Sequence, residues 1–360
     1  MINEARLLKT FLDLVAIDSP SGQEAAAGEE LMHRLADLGG AVVRDEHGNV
    51  VARWAEGQGD WLLLSAHMDT VGTDLHIKPQ IRDGVIYSDG TTILGGDDKS
   101  GVAAILEVVA SLREDGAPHP PLEVVISVGE EIGLLGARQL DKSKLRARMG
   151  YVLDSGGPIG TIIVSAPSQD SLEVIVHGKT AHAGAEPERG INAIRVASEA
   201  IAAMPLGRID PETTANIGII EGGTARNIVP DRVRIIGEAR SRNNASLEKQ
   251  TGAMVGAFQE AAARHNTQVD CNVTRTYNTY RLTAETPVVA RAIAAMEKLG
   301  FSPALHDSGG GTDGNIYGEH GVPCAVLSTG MTDVHTPHEH IAIQDMVDSA
   351  RLLQVVVSGS

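Results

Sequence analysis

The chain has 360 residues, with 30 Lys+Arg against 47 Asp+Glu and a formal net charge of −17. At about 150 residues per domain, that length fits two domains, and a 42% hydrophobic content is ample for a sizeable core. An acidic surface repels phosphate backbones, which disfavours a nucleic-acid binder. Two cysteines, Cys271 and Cys324, make neither a disulfide framework nor a four-thiolate zinc site.

Met1 to Thr10 lacks the basic-then-apolar pattern of a signal peptide. The apolar run after Gly101 is interrupted by Glu107, short of a membrane span. The expectation is a cytoplasmic protein with no membrane partner. Leu7, Leu8, Phe11, Leu14 and Val15 stand at helical spacing over 3–17, and a second amphipathic helix is predicted over 24–38, ended by Gly39-Gly40. Short strands are predicted at 50–53 and 61–65, then a helix over about 100–113 behind Gly95-Gly96. Strand 122–128, helix 133–140 and strand 151–153 follow. Strands alternating with helices imply βαβ units and a largely parallel sheet.

The pattern changes near Pro167. Strand 171–177, helix 190–203, strands 215–220 and 232–239, helix 246–264 and strand 268–276 form a β-α-β-β-α-β order, which is ferredoxin-like. The first pattern then resumes with helix 286–299, a glycine turn at 309–311, strand 322–328 and a last helix from about Gln344. The reading is an α/β catalytic domain, 1–167 plus 278–360, with helices on both faces of a mostly parallel sheet. An α+β domain, 168–277, is inserted into it.

Polar residues cluster just after these strands. Strand 61–65 runs into His67 and Asp69, strand 122–128 into Glu130-Glu131, strand 151–153 into Asp154, and strand 322–328 into a loop holding His335. Asp97-Asp98-Lys99 sits between a glycine turn and a helix start. The carboxyl ends of parallel strands share one sheet edge, so residues distant in sequence converge there. Histidines and carboxylates without thiolate suit Zn²⁺, Mn²⁺ or Co²⁺, and carboxylates can bridge two such ions. Each motif alone is more often a cap, a surface charge or a turn; together, on one edge, they describe a metal site.

Seven motifs in this order resemble the M20 metallopeptidases, and within them the peptidase T (tripeptidase) branch. They are His67-Met68-Asp69-Thr70-Val71, Gly95-Gly96-Asp97-Asp98-Lys99-Ser100-Gly101, Gly129-Glu130-Glu131-Ile132-Gly133 with Asp154, Gly178-Lys179-Thr180-Ala181-His182-Ala183-Gly184, Asn227-Ile228-Val229-Pro230-Asp231, Gly310-Gly311-Thr312-Asp313-Gly314, and His335.

The resemblance implies two divalent metal ions, zinc foremost with Mn²⁺ or Co²⁺ as alternatives. The ligands would be His67, Asp97, Glu131, Asp154 and His335. Asp97 would bridge, with a cis peptide to Asp98; Asp154 would complete the site of His67, and Glu131 and His335 the other. Asp69 would orient His67, Glu130 would be the general base, and His182 would support the oxyanion, in many relatives from a partner subunit. Asn227 and Arg240 would bind substrate, with Arg226 a competing cation. The inserted domain would act as a lid or dimerisation domain, compatible with a homodimer.

The implied activity is release of N-terminal residues from short peptides. An N-acyl-amino-acid amidohydrolase, carboxypeptidase or dipeptidase on the same scaffold is the alternative. Departures from the peptidase T pattern fall in the specificity region: no Arg immediately precedes Ser308-Gly309-Gly310-Gly311, and the His335 loop reads His335-Thr336-Pro337. Among the other histidines, His338 and His340 read as supporting or surface residues, and His33, His47, His119 and His265 as solvated.

Overall fold

The computed structural model describes residues 1–359. The chain forms two compact units: Met1–Ser165, Arg281–Ser308 and Thr312–Ser360 make the first, Ala166–Tyr280 and Gly309–Gly311 the second. The division thus falls within a few residues of 167 and 278. Gly309–Gly311 groups with the inserted unit, against its expected place in the catalytic domain. There Gly311 approaches Tyr277 so closely that a Cβ would meet its ring at 2.3 Å.

The first unit is built on a nine-stranded sheet. Its centre is four parallel strands, Leu62–His67, Leu122–Ser127, Met149–Ser155 and Cys324–Ser328. Leu62–His67 lies between Leu122–Ser127 and Met149–Ser155, and Cys324–Ser328 follows. The strands are rich in Leu, Val and Ile and buried almost throughout, the pattern of a sheet covered on both faces. Their shared direction brings His67, Ser127, Asp154 and Ser328 towards one edge.

Helix Gly96–Asp115 is the central covering element, with its residues from Gly96 to Leu112 buried. Helix Glu4–Val15 is capped by the Asn3 side chain, which accepts the Arg6 N–H, and buries Leu7, Phe11, Leu14 and Val15 as its spacing predicts.

Several elements escape the sequence reading. Strand Ala41–Arg44 forms an antiparallel edge beside Val50–Trp54. Strand Thr161–Ala166 and helix Asp313–Glu319 lie in stretches for which the sequence predicts no element. Gln80–Arg82, Val85–Tyr87 and His340–Ala342 make a separate three-stranded sheet from segments too short to show a period. The helix expected over 133–140 is confined to Leu135–Gln139, because Leu134 takes a left-handed φ of 59°.

The second unit carries one antiparallel sheet with the order Gly207–Asp210, Thr213–Gly222, Arg232–Ser241, Ser168–His177, Val269–Tyr277. Apart from the short Gly207–Asp210 strand, this is the ferredoxin-like strand order. Strict alternation along Ser168–His177 buries Leu172, Val174 and Val176 against Phe258, Met254 and Val196 of the two helices. No helix among the described residues is long and apolar enough to cross a membrane.

Candidate metal centre

His67 ends its strand with a fixed tautomer. Its Nδ1 lies 3.0 Å from the Asp69 carbonyl oxygen, which can only accept, so Nδ1 carries the proton and Nε2 keeps a lone pair in the neutral ring. Nε2 stands 3.1 Å from Asp97 Oδ1 and 3.9 Å from Asp154 Oδ1. The other oxygen of Asp97, Oδ2, stands 3.1 Å from His335 Nε2. That same nitrogen is 2.9 Å from Glu131 Oε1. One carboxylate therefore faces two imidazoles, with Asp154 on the side of His67 and Glu131 on the side of His335.

Backbone donors and carboxylates lock the loops that carry these groups. The consecutive N–H groups of Gly129, Glu130 and Glu131 donate to Glu24 Oε1, Asp69 Oδ1 and Asp69 Oδ2 at 3.0, 3.0 and 3.3 Å. Gly129 makes the turn with a φ of +58°. The Asp97–Asp98 peptide is cis, and both residues depart from helical dihedrals at the head of helix Gly96–Asp115. Asp98 points away from Asp97's role: its Oδ2 accepts the His67 N–H and its Oδ1 the Gly101 N–H, each at 3.2 Å.

The electrostatics are those of an anionic pocket short of positive charge. Burial pushes the carboxyls of Glu130, Asp98 and Asp154 well above the ordinary range, and neighbouring carboxylates add to the rise. At Asp97, bonds to His335 and His67 outweigh burial and hold the carboxyl well below it. The imidazoles respond oppositely. His67 is driven up by Asp69 and Asp97 despite its burial, and His335 is raised to about 10 by the adjacent carboxylates of Asp97 and Glu131. The raised imidazoles thus lean towards offsetting the negative charge around them.

The donor set suits divalent cations. Ligand atoms of His67, Asp97 and Glu131 lie within 4.8 Å of one another, as do those of His67, Asp98 and Asp154. Glu131 Oε1 is buried and makes no hydrogen bond despite its closeness to His335. Imidazole and carboxylate without thiolate match Zn²⁺, Mn²⁺ or Co²⁺.

A model of peptidase family M20/M25/M40 matches residues 63–358. The chain belongs to that family. It is 43% identical to the protein YqjE of Bacillus subtilis (strain 168), each covered over 99% of its length. It is also 43% identical to the solved aminopeptidase PepT of Bacillus cereus ATCC 10987, with a TM-score of 0.87 over 99% of this chain and 98% of that one. A solved tripeptidase of Staphylococcus aureus shows 39% identity and a TM-score of 0.92 over the same shares. This M20 peptidase is thus peptidase T-like in sequence and fold, a peptide hydrolase with clustered groups that could hold metal ions.

The remaining residues singled out in the sequence lie in the inserted unit. His182 is exposed, and its Nδ1 accepts the N–H groups of Gly184 and Ala185, each at 3.1 Å, which leaves Nε2 as the N–H donor. Asn227 is exposed beside it: its carbonyl accepts the Ala183 N–H at 3.0 Å, and His182 bridges to Ile228. Arg240 is not brought to this pair. It stands opposite Gln169, roughly 26 Å along the strand from His177 at ~3.3 Å per residue. Its guanidinium is shared with the Glu238 carboxylate at 3.0 Å through both Nε and a terminal nitrogen.

Three buried acids went unread as site residues. Asp98 braces the backbone of His67; Asp313 accepts from Ser127 Oγ; Glu339 bonds the loop that carries Asp97. Their only signal in the sequence is adjacency to Asp97, to the Gly310-Gly311-Thr312 turn and to the histidines after His335.

Proposed function

We propose that this M20 peptidase is a dinuclear metal-dependent aminopeptidase that releases N-terminal residues from short peptides. The observation that carries the reading is Asp97, whose two oxygens each face a different imidazole beside the buried Glu130. The family and the peptidase T-like relatives support it.

Two divalent cations, when bound, would polarise the scissile carbonyl, acidify the attacking water and supply the positive charge these carboxylates lack. His67, Asp97, Asp154, Glu131 and His335 would hold them, with Zn²⁺ foremost. Glu130, fixed through its backbone N–H on Asp69, takes the proton from the attacking water and returns it to the leaving amine. His182, with Nε2–H as its free donor, stabilises the oxyanion. Asn227 binds the peptide backbone. Arg226, exposed beside Asn227, and Arg240, shared with Glu238, are the two cations on offer for the peptide's terminal carboxylate.

The inserted unit supports self-association. Among the described residues, Gly207–Asp210 covers strand Thr213–Gly222 only as far as Ala215, and the uncovered part exposes Ile219 and Ile220. An open edge with exposed apolar side chains is a template for a second copy, and a homodimer is the assembly we propose.

The deciding experiment is product analysis by mass spectrometry after incubating Zn²⁺-, Mn²⁺- or Co²⁺-loaded protein with matched substrates. These are a free tripeptide, its N-acetylated form, its C-terminal amide and an N-acyl amino acid. Loss of the first residue from the free tripeptide, abolished by acetylation, is the expected result. Turnover of the acetylated or N-acyl compounds instead would move the protein to the amidohydrolase or carboxypeptidase reading.

A further inference from the structure

Glu339 is 1% exposed and lies in the loop that also carries His335. Its carboxylate is fully engaged by one short stretch of backbone. Oε2 accepts the N–H groups of Leu94 and Gly95 at 2.7 and 2.9 Å, and Oε1 accepts the Asp97 N–H at 3.0 Å. Helix Gly96–Asp115 begins here, and its own N-cap residue, Gly95, has no side chain to offer. Glu339 therefore caps the helix from a segment more than two hundred residues away.

The acceptor is itself held rigidly. The Glu339 N–H donates to the Thr336 carbonyl at 3.1 Å, and its carbonyl accepts the Ser88 N–H at 3.1 Å. Thr332 and His340 close the loop's base with a reciprocal pair of backbone bonds at 3.0 and 3.1 Å. His335, with a φ of +63°, projects from the same loop to within 3.1 Å of Asp97 Oδ2. The 94–97 turn also leaves room for the carboxylate: a Cβ on Gly96 would stand 3.0 Å from Glu339 Oε1.

We propose that Glu339 is the positioning residue of the metal centre, joining the Asp97 turn to the His335 loop so that the two ligands from distant segments meet at fixed separation. The inference rests on the metal-centre reading above. Leu94, Gly95 and Asp97 offer donors without acceptors of their own in the turn, and the buried carboxylate satisfies all three at once. An amide in its place cannot: whichever oxygen Gln keeps, its NH₂ group faces at least one of these buried N–H donors, leaving it unpaired. The turn then shifts to find another acceptor, and the carboxylate of Asp97 moves with it. Outer partners of this kind commonly change metal affinity by about 10–100-fold.

The test is the Glu339→Gln variant of the full chain beside wild type, with Zn²⁺ or Mn²⁺ alone as the probe. Affinity is read by competition with a chromophoric chelator, and melting temperature is read with and without the ion. A positioning role predicts roughly 10–100-fold weaker binding and a smaller metal-induced rise in melting temperature. A cap with a structural role alone lowers both melting temperatures alike and leaves affinity unchanged, which overturns the proposal. Should Glu339→Gln fail to fold, Gly96→Ala presses a methyl on the same oxygen; weakened binding there supports the proposal and unchanged binding overturns it. Wild type that takes up no divalent cation would instead remove the metal-centre reading, and this inference with it.

Discussion

Asp69 accepts the backbone N–H of Glu130 at 3.0 Å. The side chain that stands 3.4 Å from the imidazole of His67 therefore also fixes the turn of the proposed general base. It is fully buried, and bonds from His67, Ser21 and the Glu130 backbone hold its carboxyl below the ordinary range against the pull of burial.

Asp69→Asn should consequently damage two things at once. The amide leaves one N–H of the Glu130–Glu131 turn unpaired and weakens the hold on His67. Metal affinity should fall by about 10–100-fold in chelator competition, with kcat on a free tripeptide falling further than that at saturating metal. A variant with wild-type affinity and kcat would remove this double role.

Glu130→Gln should separate chemistry from binding. Glu130 makes none of the close approaches to the imidazoles that Asp97 and Glu131 make. Peptide turnover should drop by about 10²–10⁴-fold, the usual contribution of a general base. Metal content by elemental analysis should stay at the wild-type ratio.

Metal-free protein should lose stability as pH rises. The Asp313 carboxyl is raised to about 6, against an ordinary 3.8, by its burial. Between those values the fold holds a proton that the unfolded chain has released, so stability declines across that window. Raised carboxyls at Glu130, Asp98 and Asp154 act with the same sign. His335, raised to about 10 from 6.5, extends the decline through that higher window. Lys99, lowered to about 8 from 10.5 by its burial, opposes it only between those two values. The melting temperature of chelator-treated protein should therefore fall by several degrees from about pH 5 to about pH 8. Added Zn²⁺ should restore more of it at the higher pH, because fewer protons then compete for the ligands.

Gly101→Ala should destabilise through close packing. Gly101 has no positive φ, yet a Cβ there would meet the Leu153 carbonyl at 2.3 Å and Asp98 Oδ1 at 2.5 Å. The helix carrying Asp97 would have to lift from the strand carrying Asp154. We expect a loss of about 1–3 kcal/mol in urea unfolding and weaker metal binding. Gly252→Ala, with open space around its Cβ in helix Asn244–Arg264, is the control and should not lower stability.

His67, Glu131 and Asp154 were readable as candidate ligands because they stand at or just beyond the ends of strands whose apolar runs are unmistakable, whereas Asp97 sits at a glycine turn before a helix and His335 in a loop. Leu62–His67 and Leu122–Ser127 need no partner to declare themselves. Segments such as Gln80–Arg82 and His340–Ala342 gave no such sign; three residues, with at most one of them buried, become a strand only when another segment supplies the bonds. Arg240 shows what spacing does not record. Its motif points to substrate binding, and the fold adds a partner, Glu238, two positions earlier on the same face of the strand, which shares the guanidinium bidentately.

Sequence alone determined the parallel α/β unit, the inserted β-α-β-β-α-β order and the acids and histidines grouped at strand ends, because periodicity and strand-end position are local properties of the chain. Tertiary structure alone decided how those groups are held. Asp98 turned inward to the His67 backbone, Asp69 took the two N–H groups of the glutamate turn, and Glu339 capped a helix that has no cap of its own. Buried backbone donors must find acceptors wherever the fold brings them, and no spacing along the chain records which distant carboxylate will answer.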